Sequence, residues 1–174
     1  MVAPLDRPIV CPTTIGRAPH LAAVDRLLDQ LTAGHGQTLL VTGEAGIGKS
    51  RLVSETKGRA TERGVLALQG QCFETDRSLP YAPFVDLLRT FASASDTAST
   101  AQHDLAALLP DLLESPVGSA PRDPEQQKRR LGRAMNDLVG DLARERPVLL
   151  LVEDVHWADE TSLELLRSLA RITA

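Results

Sequence analysis

Eight consecutive residues, Gly43-Glu44-Ala45-Gly46-Ile47-Gly48-Lys49-Ser50, fit the spacing G-x-x-x-x-G-K-[ST]. Their types suggest one chemistry. Glycines, lacking a Cβ, let the main chain bend tightly around an anion that side chains would otherwise obstruct. The bent amides, and the N-terminus of a following helix, aim positive partial charge at that anion. Lys49 adds a full charge within reach of the β- and γ-phosphates of a polyphosphate, and the Ser50 hydroxyl is a candidate Mg²⁺ ligand. A second chemical segment lies further on, where the apolar run Pro147-Val148-Leu149-Leu150-Leu151-Val152 ends in Glu153-Asp154. Carboxylates beside a triphosphate need a divalent cation between them. One acid would hold Mg²⁺ through water, and its neighbour would orient or deprotonate an attacking water. The residues leave open which of Glu153 and Asp154 takes which role.

Such groups work together only if secondary structure sets them side by side. Thr38-Leu39-Leu40-Val41 predicts a buried strand feeding the loop. Residues from about Lys49 to Arg63 predict a helix leading out, weakened by Gly58. Val65-Leu66-Ala67-Leu68 reads as a second strand. The run from Val148 predicts a buried parallel strand that delivers its acids to the carboxyl end of an open α/β sheet, where ligands bind. Leu21, Val24, Leu27, Leu28 and Leu31 recur at helical spacing, with Gly34 and Gly36 closing that helix.

Further helices are expected after Pro83 (Phe84, Leu87, Leu88, Phe91), from about His103 to Leu109, and from Glu125 to Arg146. The last carries Leu131, Met135, Leu138, Val139 and Leu142 on one side, so residues 73–146 form a helical excursion between the second and third strands. Residues 1–13 read as a loose lead-in. Ala92 to Ala101, built only of Ala, Ser, Thr and Asp, reads as a mobile surface segment, and Pro110 to Pro124 as another Pro/Gly/Ser-rich stretch. Asp159 stands where it would N-cap a helix carrying Leu163, Leu165, Leu166 and Leu169.

With 174 residues, 43% of them hydrophobic, the chain can bury one sizeable core. A net charge of −4 gives no bulk attraction to nucleic acid. Lys128-Arg129-Arg130 with Arg133 lacks aromatics for base stacking and reads as a solvated helix face. The aliphatic run Val148 to Val152 is far short of a membrane span. Residues 1–12 lack the basic-then-apolar layout of a signal peptide. Cys11 and Cys72 stand far apart without metal-ligand spacing, so reduced structural thiols and a cytoplasmic location are expected. His156 reads as a loop residue packing near Trp157, because the paired acids already supply a base.

The glycine-rich octapeptide is followed in order by Gln69-Gly70-Gln71-Cys72-Phe73-Glu74, Leu79-Pro80-Tyr81-Ala82-Pro83-Phe84, and Val152-Glu153-Asp154-Val155-His156-Trp157-Ala158-Asp159. From about Thr14 onward the chain resembles the N-terminal ATPase module of LuxR-type transcriptional regulators and of adenylate-cyclase-linked regulators of the STAND type. That nucleotide domain is described as an origin-recognition-complex-like AAA ATPase domain. The resemblance implies an α/β, three-layer P-loop NTPase with a parallel sheet, binding ATP and Mg²⁺. It implies that Gly43 to Ser50, with Arg51 beside them, form Walker A. Glu153 and Asp154 then form Walker B, with Ser50 as their partner at the metal. Ile15-Gly16-Arg17 is similar to a hydrophobic-Gly-Arg entry near the adenine. The chain departs from the pattern at Ala18-Pro19, where relatives carry an acid, and at Glu153, where many carry Asp.

In additional-strand ATPases, as the resemblance implies, a further strand with a γ-phosphate sensor lies between the P-loop and Walker B strands. The sequence stops after the helix following Walker B, so residues 14–174 are expected to be a partial domain whose C-terminal partner domains are absent. The expected function is ATP binding with slow Mg²⁺-dependent hydrolysis in a longer parent. There, nucleotide state would switch a signalling or transcription-regulating assembly through self-association, without direct nucleic-acid or membrane contact by this segment. Two alternatives stand beside it. A small-molecule P-loop kinase would pair its Walker B strand directly with the P-loop strand, and a nucleotide-dependent scaffold would lack turnover. ATP rather than GTP follows from the resemblance, and no guanine-reading N-K-x-D stretch occurs.

Overall fold

In the computed structural model, which describes residues 16–77, 79–94 and 124–172, the apolar stripe of residues 21–31 lies on helix α1 (Ala18–Thr32). Pro19 occupies its first turn, where a missing amide donor costs nothing. Helix α2 (Lys49–Glu62) starts at the lysine of the glycine-rich loop and continues through Gly58. Strand β1 (Leu66–Gln71), α3 (Ala82–Ala94), α4 (Pro124–Glu145), β2 (Val148–Glu153) and α5 (Glu160–Ile172) follow. The architecture is α/β with a small parallel sheet, β1 on β2, in register from Leu66 opposite Val148 to Gln71 opposite Glu153.

Burial along β1 alternates with the two-residue period of a strand. Leu66 and Leu68 join the larger core, with Phe84, Leu87, Leu88 and Phe91 of α3, Met135, Leu138 and Leu142 of α4, and Leu165 and Leu169 of α5. A smaller cluster, Val24 and Leu28 of α1 with Leu52 and Ala60 of α2 and Val65, takes in Leu149 of β2. Asp25 fastens the two helices of that cluster, accepting from Arg59 at 2.7 Å and Arg63 at 2.8 Å. The Arg59 hydrogen bond holds its carboxyl below the ordinary aspartate range despite the opposing effect of burial, and the charges of Arg59 and Arg63 add to it. A cleft of about 560 Å³ beside these pairs is walled by Asp25, Glu55, Arg59, Glu62 and Arg63. Arg59 and Arg63 of its wall pair with Asp25, which ties α1 to the C-terminal end of α2.

Two expectations need correction. Residues 35–44 form no strand, and Leu39 and Leu40 are 53% and 77% exposed rather than buried. A strand exists through its ladder, and among the described residues no strand runs beside 38–41; only Val41 packs on the smaller cluster. For the same reason β2 is half-buried along its whole length. It pairs with β1 along one edge, and no described strand covers the other. Helix α3 also extends through Ala92–Ala94, the beginning of the stretch expected to be loose. The rest of that stretch, the His103–Leu109 helix, residues 110–123 and the lead-in 1–13 lie outside the described residues.

Gly70 permits the closest approach in the larger core. A Cβ there would lie 2.0 Å from the Pro83 carbonyl oxygen at the start of α3, a distance that backbone cannot yield cheaply. The same seam is tied by Thr90 Oγ1, which donates to Gln69 O at 3.1 Å. Gly70→Ala must therefore lift α3 from β1. It is expected to cost about 2–3 kcal/mol as an overpacking change, which thermal unfolding would register as a loss of roughly 5–10 °C. Gly140→Ala on α4, where a Cβ meets nothing within 4 Å, should leave the transition unchanged or raise it. Equal midpoints for parent and Gly70→Ala would contradict this packing.

Asp159 caps α5. Its Oδ1 accepts the Ser162 amide at 2.9 Å and the Thr161 hydroxyl, and its Oδ2 accepts the buried Ser162 hydroxyl and the Tyr81 amide, the latter at 3.3 Å. The last bond anchors Tyr81, a bulky residue held at φ 64 where α3 begins. A left-handed conformation of that kind costs on the order of 1–2 kcal/mol. Burial pushes the Asp159 carboxyl up, but the four hydrogen bonds outweigh it and leave the group below its ordinary 3.8. A depressed carboxylate contributes stability above its unfolded pKa and loses it as pH falls through the folded value. Asp159→Ala should cost about 1–2 kcal/mol at pH 7, and the gap to the parent should close as unfolding is measured from about pH 5 down through 3. A gap constant with pH would show that the ionised form is not what the cap uses.

Candidate phosphate-binding site

The octapeptide folds as a curl that leads into α2. Gly46 and Gly48 adopt φ 75 and 90, a region costly to side chains, and the Ile47 amide turns back to Glu44 O at 3.4 Å. Gly48 is the N-cap of α2, and no side chain caps the helix there. The first amides of α2 thus lack an intrahelical acceptor and are available to an external anion. Lys49 folds across the curl, donating from Nζ to Gly43 O and Glu44 O, both at 2.9 Å. Arg17, at the N-terminal boundary of α1, reaches over the same loop and donates from Nη2 to Ile47 O. A Cβ on Gly48 would stand 3.3 Å from that nitrogen, so Gly48 also makes room for the guanidinium.

Two cations 32 residues apart in sequence therefore meet on one loop. Gly16 precedes Arg17 in a turn, and Ile15 lies outside the described residues. Ser50 is exposed in the first turn of α2. Arg51 runs along the helix to Glu55 at 3.8 Å.

Glu153 ends β2 opposite Gln71 of β1, and Asp154 leaves the strand at φ 54 to start a short turn over Val155–Trp157. Each acid meets a glutamine of β1. Gln69 Nε2 donates to Glu153 Oε1 at 2.6 Å, while Gln71 Nε2 stands 3.5 Å from Asp154 Oδ2. Lys57, two turns into α2, donates to Gln69 Oε1 at 2.9 Å. Sequence reasoning gave Lys57, Gln69 and Gln71 no role at the acids. A signal was present: two glutamines at strand spacing share one face of an otherwise apolar sheet, and polar groups there need partners.

Beyond the acids, His156 is exposed and packs on Trp157 with ring centroids 4.9 Å apart, while Arg77 lies 4.6 Å over the Trp157 ring. Cys72 is buried, and burial first, then the charges of Asp159, Asp154, Asp76 and Asp86, push its thiol up to about 11. A thiol so protonated is a packing group. Cys11 is outside the described residues. Arg129 and Arg133 of the basic helix face are exposed.

Among the described residues no three His, Cys, Asp or Glu side chains gather into a metal cage. The hydroxyl of Ser50 and the carboxylates of Glu153 and Asp154 are hard oxygen donors. Such a set fits Mg²⁺, which keeps waters and shares its shell with phosphate oxygens. No described helix is long and apolar enough to cross a membrane.

Comparison with known proteins matches residues 13–174 to the family model described as AAA ATPase domain. An uncharacterized protein of Rhizobium meliloti (strain 1021) is 30% identical over 177 aligned residues, covering 92% of this chain and 17% of its own length. The chain thus spans about a sixth of that relative. No solved structure matches it.

Proposed function

The chain belongs to the AAA ATPase domain family, and from that premise we propose that it binds ATP with Mg²⁺ and hydrolyses it slowly within a longer regulatory protein. The observation that carries this reading is the uncapped N-terminus of α2 rising from a glycine curl on which Lys49 and Arg17 converge. In the bound state Lys49 exchanges the carbonyls of Gly43 and Glu44 for β- and γ-phosphate oxygens, and the amides of residues 44–50 surround the same anion. Arg17 gives up Ile47 O for the nucleotide, with Gly16 on the adenine side and Arg51 following the loop on α2. Mg²⁺, when bound, neutralises charge building on the transferred phosphoryl group. Ser50, Glu153 and Asp154 would hold it, and the two acids divide the work of fixing the cation and orienting the attacking water.

A small-molecule kinase of this class would set its acidic strand against the loop strand; β2 pairs with β1 on one edge, and among the described residues no strand, the 38–41 run included, lies on the other. The exposure of Leu39 and Leu40 and the open edge of β2 suit a further strand between them, as in additional-strand ATPases with three layers. On this reading residues 14–174 are one part of the nucleotide domain, and neighbouring domains of the whole protein carry the signalling or transcriptional output. Titration calorimetry with ATP, with and without Mg²⁺, alongside phosphate release, tests the proposal. Heat of binding with slow release of phosphate to water is expected. Absence of binding refutes it, and transfer of phosphate to an added acceptor would favour the kinase.

A further inference from the structure

We propose that Gln69, oriented by Lys57, is a positioning residue that holds Glu153 for the cation and links the phosphate-loop helix to the acidic strand. The inference rests on the ATP and Mg²⁺ reading of the site. Its basis is the chain of donors from Lys57 Nζ to Gln69 Oε1 at 2.9 Å and from Gln69 Nε2 to Glu153 Oε1 at 2.6 Å. An ammonium has only donors, so it fixes the otherwise ambiguous amide with its oxygen toward Lys57. The NH₂ group must then face Glu153 and donate to its Oε1. Gln69 is a firm support, since it sits in the β1 ladder and its carbonyl also accepts from Thr90 Oγ1.

Lys57 stands eight positions beyond Lys49 on one helix, about 12 Å along the axis. Any shift of α2 on phosphate capture therefore reaches Glu153 through two side chains, Lys57 and Gln69. Asp154 is held differently. It is exposed, off the strand, and its glutamine is 3.5 Å away at the limit of a hydrogen bond. The linkage thus constrains one acid and leaves the other freer to follow a water.

Groups that orient a metal ligand typically account for about 10–100-fold in metal affinity; in this partly exposed site the lower figure applies. With the full chain, Gln69→Met should leave affinity for Mg²⁺-free ATP within about twofold of the parent. It should raise the Mg²⁺ concentration for half-maximal enhancement of binding about tenfold. Lys57→Met should move the same midpoint in the same direction by less. Gln69→Glu, which sets a carboxylate against Glu153, should exceed Gln69→Met. An unchanged Mg²⁺ midpoint, or a parallel fall in Mg²⁺-free affinity and thermal midpoint, overturns the proposal.

A second measurement needs no nucleotide. The side-chain amide protons of Gln69 should be shifted downfield and slow to exchange in the parent, and should move in both Lys57→Met and Glu153→Gln. If the parent binds no ATP, the phosphate-site reading fails by itself, and these amide signals decide the linkage. Their insensitivity to both substitutions would overturn it.

Discussion

Lys49→Ala is expected to lower ATP affinity at least about 100-fold while the thermal transition stays within a degree or two of the parent. The fold has little stake in this ammonium, because its hydrogen bonds run to two carbonyls of its own exposed loop. A bound polyphosphate has a large stake. Removing one member of a hydrogen-bonded charge pair costs roughly 2–5 kcal/mol, and about 1.4 kcal/mol is a factor of ten. The N-terminal amides of α2 remain, so weak anion binding should persist. Lys49→Arg should recover little, because a planar five-donor guanidinium does not fit where a compact ammonium turns back into the curl. Calorimetry reads both variants. Parent-like affinity in Lys49→Ala would remove the loop from the account of nucleotide binding.

What the sequence made legible was local. The curl and α2 follow from glycines, a lysine and helical spacing within a short stretch of chain. The Asp159 cap is also written locally, as Asp159-Glu160-Thr161-Ser162, and the structure puts its carboxylate on the Ser162 amide. Long-range features escaped. The apolar pattern at Thr38–Val41 is plain, but whether such a run becomes a strand depends on a neighbour supplied from elsewhere in the fold. Gly70 reads as an ordinary strand glycine until α3 brings the Pro83 carbonyl against it.

The linkage at Glu153 joins residues 84 positions apart, and no motif marks Lys57 as its third member. Arg17 is an intermediate case. Its place next to a glycine at the head of the domain flagged it by resemblance, while its landing on Ile47, 30 residues away, is a tertiary fact. The glycine-rich loop and the acidic strand end are written in short runs of sequence, and the side chains that contact them from other elements are not.

Substituting the acids should separate binding from turnover. Glu153→Gln and Asp154→Asn are each expected to keep Mg²⁺-free ATP affinity within about threefold and to slow phosphate release about 100-fold or more, the range for losing a positioned acid or base. Both changes are nearly isosteric, so charge is what they remove. In Glu153→Gln the side-chain carbonyl remains an acceptor for Gln69, and asparagine tolerates the left-handed conformation that Asp154 adopts at φ 54.

The two variants should differ in their response to Mg²⁺. Glu153, anchored through Gln69 to α2, is the acid whose neutralisation should raise the Mg²⁺ requirement. Asp154, exposed at the start of its turn, should when neutralised lower kcat at saturating Mg²⁺ with the midpoint little changed. Single-turnover phosphate release across a Mg²⁺ titration reads both quantities in one experiment. The opposite assignment, with Asp154→Asn moving the midpoint and Glu153→Gln only the rate, would reverse the roles of the two acids and leave the site in place. Parent-like release in both variants would mean that the acidic end of β2 takes no part in hydrolysis, whatever Lys49 binds.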